Sequence, residues 1–105
     1  MQWAGIALSF IGIVVAFGEA SPFPSVINVS NVTGTVTKVT VTLKHLSHTF
    51  PDDLDIYLVG PGGHGVKLMS DAGGSSDITN ISITFDDSAP ALDTSTAIVA
   101  GTYKP

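Results

Sequence analysis

The sequence predicts an all-β fold, antiparallel strands packed as a β-sandwich, and three observations carry that prediction. Apolar and polar residues alternate through Val39, Val41 and Leu43, through Leu54, Ile56 and Leu58, and through Ile81, Ile83 and Phe85. That is the period of a strand with one buried face. Clusters of Pro, Gly, Asn, Asp and Ser separate these runs at turn spacing. Beyond the first residues, no stretch sustains the 3.6-residue period of a helix. At 105 residues there is room for one domain.

From Trp3 to Phe17 the chain is almost wholly apolar. Two readings fit residues 1–17. In one, Ile11 to Ala16 is the first buried strand. In the other, the segment is signal-like, with a small-residue cleavage site at Ala16-Phe17-Gly18 or Gly18-Glu19-Ala20, though no Lys or Arg precedes it. It is too short and too interrupted by glycine for a firm membrane span. Ser25 to Val29 reads as a short strand, and Val32-Thr33-Gly34-Thr35 as a turn. Val39, Val41 and Leu43 then alternate with Lys38, Thr40, Thr42 and Lys44, and Val36 lies off that alternation, which predicts a bulge near Thr37.

The run from Leu46 to Gly63 is the most informative. Pro51-Asp52-Asp53 is turn chemistry before a strand that places Leu54, Ile56 and Leu58 on one face and Asp55, Tyr57 and Val59 on the other. Pro61-Gly62-Gly63 ends it. A Gly-rich turn from Gly60 to Gly65, a strand from Val66 to Met69 and a Gly/Ser loop from Asp71 to Asp77 follow. Ile81, Ile83 and Phe85 alternate with Ser82 and Thr84, and Ala97 to Val99 reads as one more strand. The predicted core is Leu43, Leu54, Ile56, Leu58, Leu68, Ile81, Ile83 and Phe85. A one-residue slip would expose Ile56 or Ile83.

Composition narrows the function classes. Charged residues are 12% of the chain, about half the roughly 25% of an ordinary soluble protein. The formal net charge is -5, and the four basic residues are scattered lysines, which argues against nucleic acid and fits a surface that holds hard cations. The absence of cysteine excludes a disulfide framework, a thiolate nucleophile and Cys-based zinc sites. Asn28, Asn31 and Asn80 begin formal N-glycosylation triplets, which arise easily by chance in so Ser/Thr-rich a chain.

Several segments occur in an order that resembles a known family. They are Ser21-Pro22-Phe23-Pro24-Ser25, the His48-Thr49 pair, the Leu46 to Gly63 run, Leu68-Met69-Ser70-Asp71-Ala72-Gly73-Gly74 and Thr84-Phe85-Asp86-Asp87-Ser88-Ala89. Together they resemble the P domain (Homo B domain) of proprotein convertases and, more closely, bacterial P-domain-like modules of large secreted proteins. The likeness runs from about Gly18 to Pro105. It implies a jelly-roll-like antiparallel β-sandwich over residues 18–105, incomplete at its C-terminal end because the family's later strands have no counterpart. It also implies a secreted, non-catalytic accessory module that stabilises or regulates a subtilisin-like serine endopeptidase. The alternatives are an extracellular spacer or binding module for carbohydrate or protein, with neighbouring β modules as partners, or a non-functional gene fragment. His45 departs from the Gly or Asn common near its position in the family.

No nucleophile context of the Gly-x-Ser-x-Gly kind is present, so the chain is not expected to be an enzyme. His48 is expected to bridge backbone groups at the start of the Leu54 strand rather than to bind metal. His45 and His64 read as solvent-facing. The carboxylates are the better candidates. Asp52 and Asp53 stand before one strand and Asp86 and Asp87 after another. If those ends meet, the four would offer oxygen ligands for one Ca2+ ion. The competing reading is that each Asp caps its own turn, and Asp55 belongs with that reading. Gly60-Pro61-Gly62-Gly63 and Gly73-Gly74 are turns, not phosphate cradles: neither precedes a helix nor leads into Lys-Ser/Thr.

Overall fold

The computed structural model describes residues 11–15, 25–31 and 33–105. The chain is all-β. Among the described residues there are seven strands: β1 (Ile11–Val15), β2 (Ser25–Ile27), β3 (Val41–His48), β4 (Ile56–Val59), β5 (Gly65–Met69), β6 (Ile78–Phe85) and β7 (Gly101–Tyr103). One 3-10 turn, Pro51–Asp53, lies between β3 and β4. The strands form two sheets, ordered β2-β1-β4-β5 and β3-β6-β7. The candidate cleavage sites and the Ser21-Pro22-Phe23-Pro24 part of the family-like pattern lie outside the described residues. No helix among the described residues is long and apolar enough to cross a membrane.

β4 and β6 are interior strands of their sheets, with partners on both sides. They carry the deepest residues for that reason. Ile56 and Leu58 are 2% and 1% exposed, and Ile83 and Phe85 are 0% exposed. The predicted register is therefore the observed one. Leu68 and Met69 from β5 and Val41 from β3 join these residues in one buried cluster fed by both sheets. Leu43 and Ile81, predicted for the core, pack against it only half-buried. Each fully buried aliphatic or aromatic side chain contributes roughly 1.5–3 kcal/mol relative to exposure. The apolar alternation is thus what holds the two sheets to a common interior.

Several boundaries differ from the sequence reading. β2 ends at Ile27, not Val29. β3 begins at Val41, although the alternation starts at Val39. Val41 already pairs with Phe85, the last residue of β6, so residues before it have no β6 partner. Leu54 is buried but precedes its strand, as the extended residue that ends the 3-10 turn. Ala97 to Val99 is not a strand. There Ile98 turns inward and covers Gly73, and the strand that follows is Gly101–Tyr103.

β7 also pairs parallel to β6, whereas every other pairing of named strands is antiparallel. A parallel neighbour needs a crossover of a dozen or more residues. The segment 86–100 supplies one without a helix.

The bulge expected near Thr37 lies elsewhere and is double. Leu43 pairs with Ile83, but Leu46 pairs with Ile81, so β3 carries one extra residue there. Between Leu46 and His48 the extra residue is on β6 instead, and His48 faces Ile78 in the original register. Each bulge contains one left-handed residue, His45 at φ +57° and Asn80 at φ +52°. The ring Nδ1 of His45 lies 2.7 Å from Oδ1 of Asn80, so the two irregularities are hydrogen-bonded to each other. Ser47 Oγ accepts from the Asn80 amide at 2.8 Å. Because they cancel, both ends of β3 keep their apolar residues inward.

Candidate functional site

The chain leaves β3 at His48, opposite Ile78 at the start of β6, and turns through Pro51–Asp53 into β4. This corner joins one sheet to the other. Proline at its first position fixes φ for the turn. Backbone bonds close it: Asp53 N–H donates to Phe50 O at 3.0 Å and Leu54 N–H to Pro51 O at 2.9 Å. The Phe50 amide donates to His48 Nδ1 at 3.0 Å, so His48 bridges to backbone at this corner as the sequence predicts.

Another link between the sheets, the loop from Ser70 to Asp77, docks on the corner. Asp52 N–H donates to Gly74 O at 3.2 Å, and Gly73 N–H donates to Thr94 O at 3.2 Å. Gly73 has φ +83°, and a Cβ there would sit 2.9 Å from Ile98 Cγ1 and 3.3 Å from Pro51 Cβ. Only glycine meets both conditions. In the same loop Ser70 Oγ donates to Asp55 Oδ1 at 2.5 Å and lies 3.1 Å from Asp71 Oδ2. Asp55 thus ties β4 to the loop, which strand alternation alone could not show.

Asp86 follows β6. Its carboxylate meets Lys38 Nζ at 2.9 Å and accepts from the Ser88 amide at 2.9 Å and hydroxyl at 2.7 Å. The Lys38 hydrogen bond, then the two from Ser88, hold its carboxyl well below the usual carboxylate range. Asp93 builds the same turn with Ser95, at 2.9 Å to the amide and 2.6 Å to the hydroxyl, and is lowered by those bonds too. Asp87 lies exposed beside Asp86.

The two acidic pairs do not meet. Asp52 and Asp53 lie where β6 begins, and Asp86 and Asp87 lie where it finishes. Eight residues of strand at about 3.3 Å each put on the order of 20 Å between them. One calcium ion cannot bridge that distance, since its ligands lie within about 2.6 Å of it. Among the described residues, no group of three or more His, Asp or Glu side chains is placed to hold a metal ion. The four residues offered as one site, Asp52, Asp53, Asp86 and Asp87, thus stand as two pairs: Asp86 serves its own turn, and the Asp52-Asp53 turn is closed by backbone.

The sequence reading also passed over the Lys38–Asp86 pair and the His45–Asn80 pair. Asn, enriched in left-handed backbone, was a usable signal for the second; His45 was a weaker one. His64 is exposed at the tip of the β4–β5 turn, as expected. No family model, no curated protein and no solved structure matches the chain.

Proposed function

We propose that residues 18–105 form a jelly-roll-like β-sandwich module of the P-domain type. Its role is that of a non-catalytic accessory unit in a secreted protein, stabilising or regulating a subtilisin-like serine endopeptidase. One observation carries the reading. Two of the segments that resemble the family, Leu46 to Gly63 and Leu68 to Gly74, meet through the Asp52–Gly74 bond and the close approach of Gly73 to Pro51. That residues carrying the resemblance also take part in linking the two sheets supports this reading. The parallel pairing of β7 departs from a wholly antiparallel sandwich. A shared calcium ion is not part of this reading.

The test has two arms. The purified chain alone is expected to leave casein and small peptide esters intact; turnover that disappears on replacing one Ser or His would make it a hydrolase. Added to a subtilisin-like catalytic domain, the chain is expected to lengthen that domain's half-life near its inactivation temperature. At a hundredfold excess over the dissociation constant, binding stabilises the partner by about 2.7 kcal/mol. An unchanged half-life at saturating concentration would remove the protease-partner role.

A further inference from the structure

We infer that the entry to the β3–β4 corner is pH-sensitive, because protonation of His48 removes the side-chain hydrogen bond that holds the Phe50 amide. The Phe50 amide donates to His48 Nδ1, so that nitrogen must carry a lone pair and the ring must be neutral with its proton on Nε2. Protonation fills the lone pair, and two donors then face each other. The geometry is that of an Asx turn, in which the side chain of one residue accepts the amide two positions on.

Asp86 with Ser88 and Asp93 with Ser95 use the same geometry. Their carboxylates keep accepting throughout the range in which histidine titrates, so the His48 turn is the one that neutral-to-acid pH changes. His45, on the same strand, behaves oppositely. Asn80 Oδ1 is an acceptor, so His45 Nδ1 is the donor and keeps that bond when its ring becomes charged.

The position of His48 gives its protonation a consequence beyond one hydrogen bond. Phe50 is the residue from which the 3-10 turn starts, and its carbonyl accepts the Asp53 amide. The next residues, Pro51 and Asp52, hold the Ser70–Asp77 loop through Gly73 and Gly74. Two of the links between the sheets, β3–β4 and β5–β6, therefore meet at a corner whose first amide is held by a neutral imidazole. The charged groups on the elements packed against it are Asp52 and Asp53 in the turn, Asp55 just after it, Asp71 in the loop and Asp77 beside Ile78 on β6. Lys44 and His45 stand on β3 itself. A charge gained at His48 changes the balance at this whole end of the molecule.

The experiment is an NMR titration of the 15N-labelled chain from about pH 8 to pH 5, where histidine side chains change charge. It follows the His48 ring nitrogens and the hydrogen-exchange protection of the Phe50 amide. The neutral ring should carry its proton on Nε2, and Phe50 protection should fall about tenfold as the ring becomes charged, the loss expected for one hydrogen bond. His48→Asn supplies an acceptor that does not titrate, and its Phe50 protection should stay level. His45→Gln should keep the parental pH response. A neutral ring protonated on Nδ1, or Phe50 protection unchanged while the His48 ring titrates, would overturn the proposal. Both can be read on the unaltered chain, should a variant fail to fold.

Discussion

Gly73 is held at φ +83° with Ile98 and Pro51 closed around it. Gly73→Ala therefore carries two costs: about 1–2 kcal/mol for a left-handed alanine and about 1–3 kcal/mol for overpacking. Gly74→Ala, at φ +54° with nothing within 4 Å of the added Cβ, carries the first alone. Urea melts of the two variants should rank them in that order, and equal losses would mean that the Pro51–Gly73–Ile98 contact is absent. At Asp86 the prediction is one of pH. Its carboxyl is lowered chiefly by Lys38 and then by Ser88. Its stabilisation is therefore present above the ordinary carboxylate value, near about 4, and is lost as pH falls toward the depressed native value. Asp86→Asn should differ from the parent most at neutral pH and converge with it in acid; a constant difference at all pH values would rule this out. Exposed ion pairs are weak and screened by salt, so the neutral-pH gap should shrink in high salt. Pro51 and Gly73 were legible from sequence as turn residues, but not as neighbours. Turn chemistry is local, whereas the contact between them depends on how two sheet links pass each other.

Between β3 and β6, two bulges that each shift the register by one residue restore it together. The left-handed residue in each is the sensitive point. Asn80→Gly should cost little, because glycine takes φ +52° freely while forfeiting one exposed hydrogen bond to His45. Asn80→Val should cost at least about 1–2 kcal/mol, since a β-branched side chain is a poor occupant of that region. Thermal melts of both variants check this, and a valine variant as stable as the glycine one would remove the bulge from β6. Alternation made the strands themselves readable: Ile81, Ile83 and Phe85 announced β6, and Leu54, Ile56 and Leu58 announced β4. Each bulge shifts the inward positions of its own strand, from Val41 and Leu43 to Leu46 on β3 and from Ile78 to Ile81 on β6, but such a step between apolar residues does not by itself tell a bulge from a strand end.

At the scale of the molecule, two sheets share one buried cluster, with the interior strands β4 and β6 supplying its deepest residues. Phe85→Ala should lose about 3–5 kcal/mol, a large share of the roughly 5–15 kcal/mol of an ordinary domain. A lower urea midpoint followed by near-ultraviolet circular dichroism would report it, and an unchanged midpoint would take Phe85 out of the core. Calcium should leave the melting temperature unchanged, because the acidic pairs stand at opposite ends of β6. A calcium-dependent rise that vanishes in Asp53→Asn would instead put a site at the corner. Sequence places both acidic pairs at strand ends, but which ends coincide depends on sheet membership and strand sense, and local pattern carries neither. The claim on which the rest depends is that the corner at Pro51 and the loop at Gly73 dock on each other and hold the two sheets over one core. Isotope-edited NOE spectroscopy tests it most directly. The account predicts cross-peaks from Gly73 Hα to the Pro51 ring and the Ile98 methyl groups, together with slow exchange of the Asp52 amide. A Gly73 with no cross-peak to either residue, and an Asp52 amide exchanging as fast as free peptide, would contradict it.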